Sequence, residues 1–283
     1  MPRPAPGEVL DLDRYPLLEP QSGGFRDLVA HCQEELAEDG CCSLPAVFQE
    51  EAVAAIAAMA RDRLELVHRP TELVSPYGGE ASPDLPADHP RRARFRRGGG
   101  FLAADHLDPE SGLWTFFQLP ETTQFLEAVL QSGPLYPYAD PISSMACNVM
   151  WPGDGFPWHF DTNEITLSIM VQAPDGGGVF EYCPNIRSPE QENDRAVAEI
   201  FAGGRKGVKQ LLLQPGDLQI FKGRYTLHRV TEVTGNRPRI VALPSWSSKP
   251  GQVGVVERMQ RSYGRALPIH YAKAAETPDA LAH

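Results

Sequence analysis

No stretch of this 283-residue sequence approaches the run of about 20 apolar residues that a membrane-spanning helix needs. The Pro-rich start, Met1 to Gly7, also lacks the apolar segment of a secretory leader. A cytoplasmic protein without membrane association is therefore expected. Cysteine is sparse and has no pairing pattern. Cys32, Cys41, Cys42, Cys147 and Cys183 form an odd set without a Cys-x-x-Cys, which argues against a disulfide scaffold or a zinc ribbon and predicts buried free thiols. Positive charge is short as well. With 26 Lys and Arg against 37 Asp and Glu the net charge is -11, which disfavours nucleic acid and anionic membranes as partners. One segment departs from this balance, Arg91-Arg92-Ala93-Arg94-Phe95-Arg96-Arg97. It is expected to be solvated or internally paired, or else to meet an anionic substrate.

What is present is ordinary globular material, 42% hydrophobic and 22% charged, enough for one domain with a helical annex. Phe25 to Glu38 carries apolar residues at helical spacing and stops at Asp39-Gly40. Cys41 to Val47 reads as a strand, Gln49 to Arg63 as an Ala-rich helix with acidic residues at its start, and Thr122 to Leu130 as a further helix. Between Pro70 and Gly100 the sequence is dense in Pro, Gly and charge without periodicity, which predicts a long surface loop or lid.

After Pro141 short strands alternate with turns: Ser144 to Met150, Glu164 to Gln172, Gly178 to Tyr182, Val208 to Leu213, Leu218 to Phe221, His228 to Val230 and Arg239 to Trp246. A helix is expected over Glu192 to Phe201. This texture indicates a mainly β jelly roll or barrel preceded by helices. The chain is read as one domain, with a helical lead-in and lid loop over 1-140, a β core over 141-250 and a C-terminal extension over 251-283.

Two histidines and one carboxylate on one side of an octahedron suit Fe(II), because three positions stay open for cosubstrate and dioxygen. His159-Phe160-Asp161 offers two such ligands, since residues two apart on extended backbone point to the same side. His228, after the Pro215-Gly216-Asp217 turn, offers the third. A His followed two residues later by an acid is expected about once by chance in such a composition. The rival, His106-Leu107-Asp108, is followed by Pro109 and the Ser111-Gly112 turn and lies outside the strand-rich half.

The surrounding frame separates the two. Trp158-His159-Phe160-Asp161, Gly176-Gly177-Gly178-Val179-Phe180, Pro215-Gly216-Asp217-Leu218, Leu227-His228-Arg229-Val230 and Arg237-Pro238-Arg239 follow in the order found in Fe(II)/2-oxoglutarate oxygenases. The resemblance covers about residues 140 to 250. It implies a double-stranded β-helix, a cupin-like jelly roll, with Fe(II), 2-oxoglutarate and dioxygen as cofactor and cosubstrates. It also implies an arginine for the far carboxylate of 2-oxoglutarate, a task suited to a planar fork that stays charged. Arg239 is favoured, because Pro238 marks the strand's start, with Arg237 as the alternative and Asn148 placed in the same pocket.

Asn148, Phe160-Asp161-Thr162-Asn163-Glu164, Gly177-Gly178-Val179-Phe180-Glu181 and Asn185-Ile186-Arg187 are similar to a branch of standalone bacterial oxygenases acting on free amino acids or small natural products. That branch includes halogenases, in which a small residue replaces the carboxylate ligand. Retention of Asp161 implies hydroxylation of a small polar metabolite, with release of succinate and carbon dioxide. Asn163, Glu164, Arg187 and Trp246 are the expected substrate contacts. The other reading is a metal-binding jelly roll that is no oxygenase, a cupin-type isomerase or a zinc hydrolase. A homodimer is the one assembly left open.

Overall fold

The computed structural model describes residues 2-79, 83-163 and 165-276. In chain order its principal elements begin with α1 (Gly23–Glu38), β1 (Cys41–Leu44), α2 (Glu50–Arg61), β2 (Gly100–Leu102), α3 (Gly112–Gln118) and α4 (Pro120–Leu130). There follow β3 (Met145–Met150), β4 (Phe156–His159), β5 (Thr166–Gln172), β6 (Phe180–Cys183), α5 (Asp194–Phe201), β7 (Lys209–Leu211), β8 (Leu218–Phe221), β9 (Leu227–Val230) and β10 (Arg239–Pro244). Two helices, α6 (Val256–Tyr263) and α7 (Pro268–Glu276), close the described chain. No helix among the described residues is long and apolar enough to cross a membrane.

Two antiparallel sheets face each other. The six-stranded sheet runs β1-β8-β5-β10-β3-β2 and the four-stranded sheet β7-β6-β9-β4. This is the double-stranded β-helix that the resemblance implies, and it agrees with the mainly β jelly roll or barrel expected from the strand-and-turn texture, with helices in the minority. Alternation along the strands explains why one sheet serves two compartments. Val149, Ile169 and Ile240 are buried in the main core with residues of α1 to α4, such as Phe25, Ile56, Phe116 and Phe125. Their neighbours in sequence, Asn148 and Arg239, take the opposite face, toward the four-stranded sheet.

Helix α1 is capped by Ser22, whose hydroxyl accepts from the Phe25 amide at 3.0 Å, and buries Phe25, Cys32 and Leu36. All five cysteines are free and buried. The described structure departs from the sequence reading in several places. Strand β4 was not expected, because Pro157 interrupts it, yet β4 is the outer strand of its sheet, where a missing amide is tolerated. No helix is predicted over α3, where the sequence signals only a turn at Ser111-Gly112. The helix is buried on nearly every side, with Leu113, Thr115, Phe116 and Phe117 all inside, so it shows no amphipathic period.

The segment from Pro70 to Gly100 is less open than a free loop. Leu73–Val74 pairs with Phe95–Arg96, and Arg91 bridges to Glu192 at 2.9 Å and to Asp194, the first residue of α5, at 3.6 Å. The strand expected over Arg239 to Trp246 ends at Pro244, and Trp246–Ser247 turns away to pair with Tyr136–Pro137.

Candidate active site

Strand pairing assembles the site. In the ladder between β4 and β9, His159 lies opposite His228, and their ring centroids are 4.1 Å apart. Each imidazole is held from behind: His159 Nδ1 donates to the Pro157 carbonyl at 2.8 Å and His228 Nδ1 to the Thr226 carbonyl at 2.9 Å. A protonated Nδ1 leaves the Nε2 lone pair free, the arrangement typical of a metal-bound histidine. Both Nε2 atoms face one oxygen, Asp161 Oδ1, at 3.7 Å from His159 and 3.6 Å from His228. Asp161 lies just past the end of β4, and its amide donates to the Gly223 carbonyl at 3.0 Å.

The Asp161 carboxylate's other oxygen accepts from the Thr166 hydroxyl. Burial by itself would raise the carboxyl pKa, but the His228 imidazole, then His159 and the Thr166 hydroxyl, hold it well below the usual carboxylate range. Burial and the neighbouring His228 push the His159 imidazole well below its ordinary value, so it stays neutral. A neutral His159 imidazole and an ionised Asp161 carboxylate are protonation states that suit a divalent metal. Their ligand atoms lie within 4.8 Å of one another, the only such group of three among the described residues. His106 and Asp108 take no part. His106 Nε2 lies 3.2 Å from Arg265, and Asp108 accepts from the Glu110 amide.

Gly223 and Thr166 had no signal in the sequence, since both act through tertiary approach. A Cβ on Gly223 would collide with Asp161 Oδ2, so a larger residue must push the carboxylate aside. Changes behind a metal ligand cost about 10- to 100-fold in affinity. Gly223→Ala and Thr166→Val are both expected to weaken Fe(II) binding by that factor, measured by competition with a chelator. Unchanged affinity in both would show that Asp161 needs no such support.

Arg239 opens β10, opposite Met150, so Asn148 is its diagonal neighbour on the same sheet face. Its side chain is buried, forms no ion pair among the described residues, and leaves Nε without a partner. Burial alone pushes its pKa down to about 10, and it remains a cation at neutral pH. Arg237 is different: it is exposed and pairs with Asp175 at 3.3 Å. Asn148 donates from Nδ2 to the Gly100 carbonyl at 3.2 Å.

Of the expected substrate contacts, Asn163 and Trp246 line one cleft of about 710 Å³ that also includes Thr166. Arg187 is engaged elsewhere. It stacks on Phe160 at 3.8 Å and donates to the Arg224 carbonyl and to Glu192, contacts that pin the insert. Glu164 lies outside the described residues. A residue of the basic run not singled out earlier, Arg97, lies between Phe101 and Phe156 at 4.3 and 4.4 Å, and Phe156 packs on His159 at 4.0 Å. Arg97 Nε and Nη2 are buried without hydrogen-bond partners among the described residues.

Several solved structures share this fold. The α-ketoglutarate-dependent epimerase SnoN of nogalamycin biosynthesis superposes with a TM-score of 0.53 at 14% identity, covering 79% of this chain and 84% of SnoN. AviO1 from Streptomyces viridochromogenes Tue57 gives 0.53 at 18% identity, covering 79% and 96%. The carbocyclase SnoK, also α-ketoglutarate-dependent, gives 0.53 at 18%, covering 80% and 88%. At these identities the likeness is one of fold. No curated protein matches the sequence. The sequence does match the family HalD, Halogenase D, over residues 104–262, more than half of the chain and a span that contains His159, Asp161, His228 and Arg239. The chain thus belongs to the halogenase D family.

Proposed function

We propose that the protein is an Fe(II)- and 2-oxoglutarate-dependent hydroxylase of a small metabolite, an amino acid or a natural-product intermediate. The observation that carries the reading is Arg239, a buried cation with no carboxylate partner among the described residues, on the sheet face that looks toward the triad. An unpaired buried charge is costly, and a dicarboxylate cosubstrate would offset that cost. A cupin-type isomerase or a zinc hydrolase could use the same three donors but has no use for such an arginine.

His159, Asp161 and His228 would hold Fe(II), whose chemistry, with 2-oxoglutarate and dioxygen, is the oxidation of a C–H bond with release of succinate and carbon dioxide. The residues of this chain contribute position and charge. Nδ1 of each histidine keeps its proton on a backbone carbonyl, so the Nε2 lone pairs stay directed at the shared point. Thr166 fixes the Asp161 carboxylate. Arg239 and Asn148 would orient the cosubstrate, and Arg97 would neutralise an anionic group of the substrate on the His159 side. Asp161 fills the ligand position that halogenases vacate for halide, which supports hydroxylation over chlorination.

Purified protein given Fe(II), 2-oxoglutarate and air is expected to release succinate, slowly alone and faster with a substrate. Hydrolysis or isomerisation with zinc and no succinate under any condition would overturn the reading.

A further inference from the structure

Two of the three ligands lean on one short turn. The segment from Lys222 to Thr226 folds back on itself, with the Tyr225 and Thr226 amides both donating to the Lys222 carbonyl at 3.0 Å. It offers the Gly223 carbonyl to the Asp161 amide and the Thr226 carbonyl to His228 Nδ1. So short a segment cannot hold its place by itself, and it is tied from outside. One tie is the Lys222 amide, which donates to the Gly40 carbonyl at 2.7 Å, just past the end of α1. Another is Arg187.

Arg187 follows β6, and its guanidinium uses face and edge at once. The face lies over the Phe160 ring at 3.8 Å, and Nε donates to the Arg224 carbonyl at 2.6 Å. The Arg187 amide donates in addition to the Tyr225 carbonyl at 3.4 Å. Phe160 is buried and stands between His159 and Asp161 in the sequence. The segment from Pro70 to Gly100 engages the same residue: the Phe160 amide donates to the Pro76 carbonyl at 2.8 Å, and its ring meets Tyr77 at 5.2 Å. Each ligand is therefore next to a residue that Arg187 touches, or bonded to the turn that Arg187 holds. An ammonium could pair with Glu192 but could not stack and donate sideways together, because that takes a rigid planar fork.

We propose that Arg187 is a positioning residue of the metal centre: it fixes Phe160 and the turn against each other, and through them the spacing of His159, Asp161 and His228. The proposal rests on the reading of the triad as the metal site, and it assigns part of the ligand geometry to a side chain outside the triad.

The test is titration of metal-free protein with Fe(II), without oxygen and against a competing chelator, and with Co(II), whose visible absorption reports ligand geometry. Arg187→Ala and Arg187→Lys are both expected to lower Fe(II) affinity by about 10- to 100-fold, the range for groups behind a metal ligand, and to shift the Co(II) bands. Glu192→Gln removes the ion pair but neither the stack nor the carbonyl bond, so it should leave affinity and spectrum unchanged. Phe160→Leu should weaken binding too, and combining it with Arg187→Ala should cost less than the two losses added, because both break one chain of contacts. Melting curves accompany each variant, and Arg187→Lys with Glu192→Gln decides the matter should Arg187→Ala fail to fold. Full Fe(II) affinity with an unshifted Co(II) spectrum in the Arg187 variants, whatever their melting temperatures, would overturn the proposal, as would an equal loss in Glu192→Gln. Either result, with normal binding by the unaltered protein, counts against Arg187 alone, whereas an unaltered protein that binds neither metal overturns the triad reading along with it.

Discussion

His228→Ala is expected to remove Fe(II) binding, lowering affinity by more than the roughly 100-fold that marks the upper range of changes behind a ligand. Turnover would be lost with it. His228 is buried between His159, Phe180 and Phe221, with ring centroids at 4.1, 5.6 and 4.9 Å, so its truncation also leaves a cavity and some loss of stability. His159→Ala separates the two effects, because His159 is partly exposed and its loss disturbs packing less. Metal analysis after dialysis, together with melting curves, reads both. Stoichiometric iron in both variants would sink the ligand assignment, and loss of iron in His106→Ala instead would move the site to the rival motif.

The second large effect concerns Arg239. Arg239→Ala is expected to weaken 2-oxoglutarate binding by about 3–5 kcal/mol, the cost of stranding a buried charge without its partner. That corresponds to at least about a hundred-fold. Arg237→Ala should change it by no more than about 1 kcal/mol, since its guanidinium is exposed and pairs with Asp175. Titration of the iron-loaded, oxygen-free protein with 2-oxoglutarate distinguishes them. A larger penalty at Arg237 would place the cosubstrate outside the sheets.

The triad was legible in the sequence because its chemistry is carried by residue type and short spacing. His159 and Asp161 are two apart, and His228 follows a turn that starts a new strand. Even so, period two was only part of the reason they meet. Asp161 has left the strand and is steered by its bond to the Gly223 carbonyl and by Thr166. Those supports come from distant parts of the chain, and neither a threonine nor a glycine advertises such a role. That Arg239 opens β10 was legible through Pro238, which cannot donate to a ladder and so marks its beginning.

The elements that escaped have specific causes. Pro157 hid β4, and burial on all sides hid α3. The basic run shows the limit of composition: its arginines look alike in sequence, but Arg91 is tied to Glu192 and Asp194 whereas Arg97 lies between two aromatic rings, with Nε and Nη2 lacking hydrogen-bond partners among the described residues. Arg187, expected near a ligand, proved to be held by Phe160 and Glu192, since a lone arginine beside a strand end gives no sign of which way its guanidinium turns.

The family to which the chain belongs bears the name of a halogenase, while in the proposed ligand set Asp161 would take the position that a halide needs. Mass spectrometry of the product formed from a coupled substrate, in chloride buffer under isotopically labelled dioxygen, tests that difference directly. The account predicts a product heavier by one oxygen atom that carries the label, with succinate released in equal amount. A chlorinated product, or a product without the label, would contradict it.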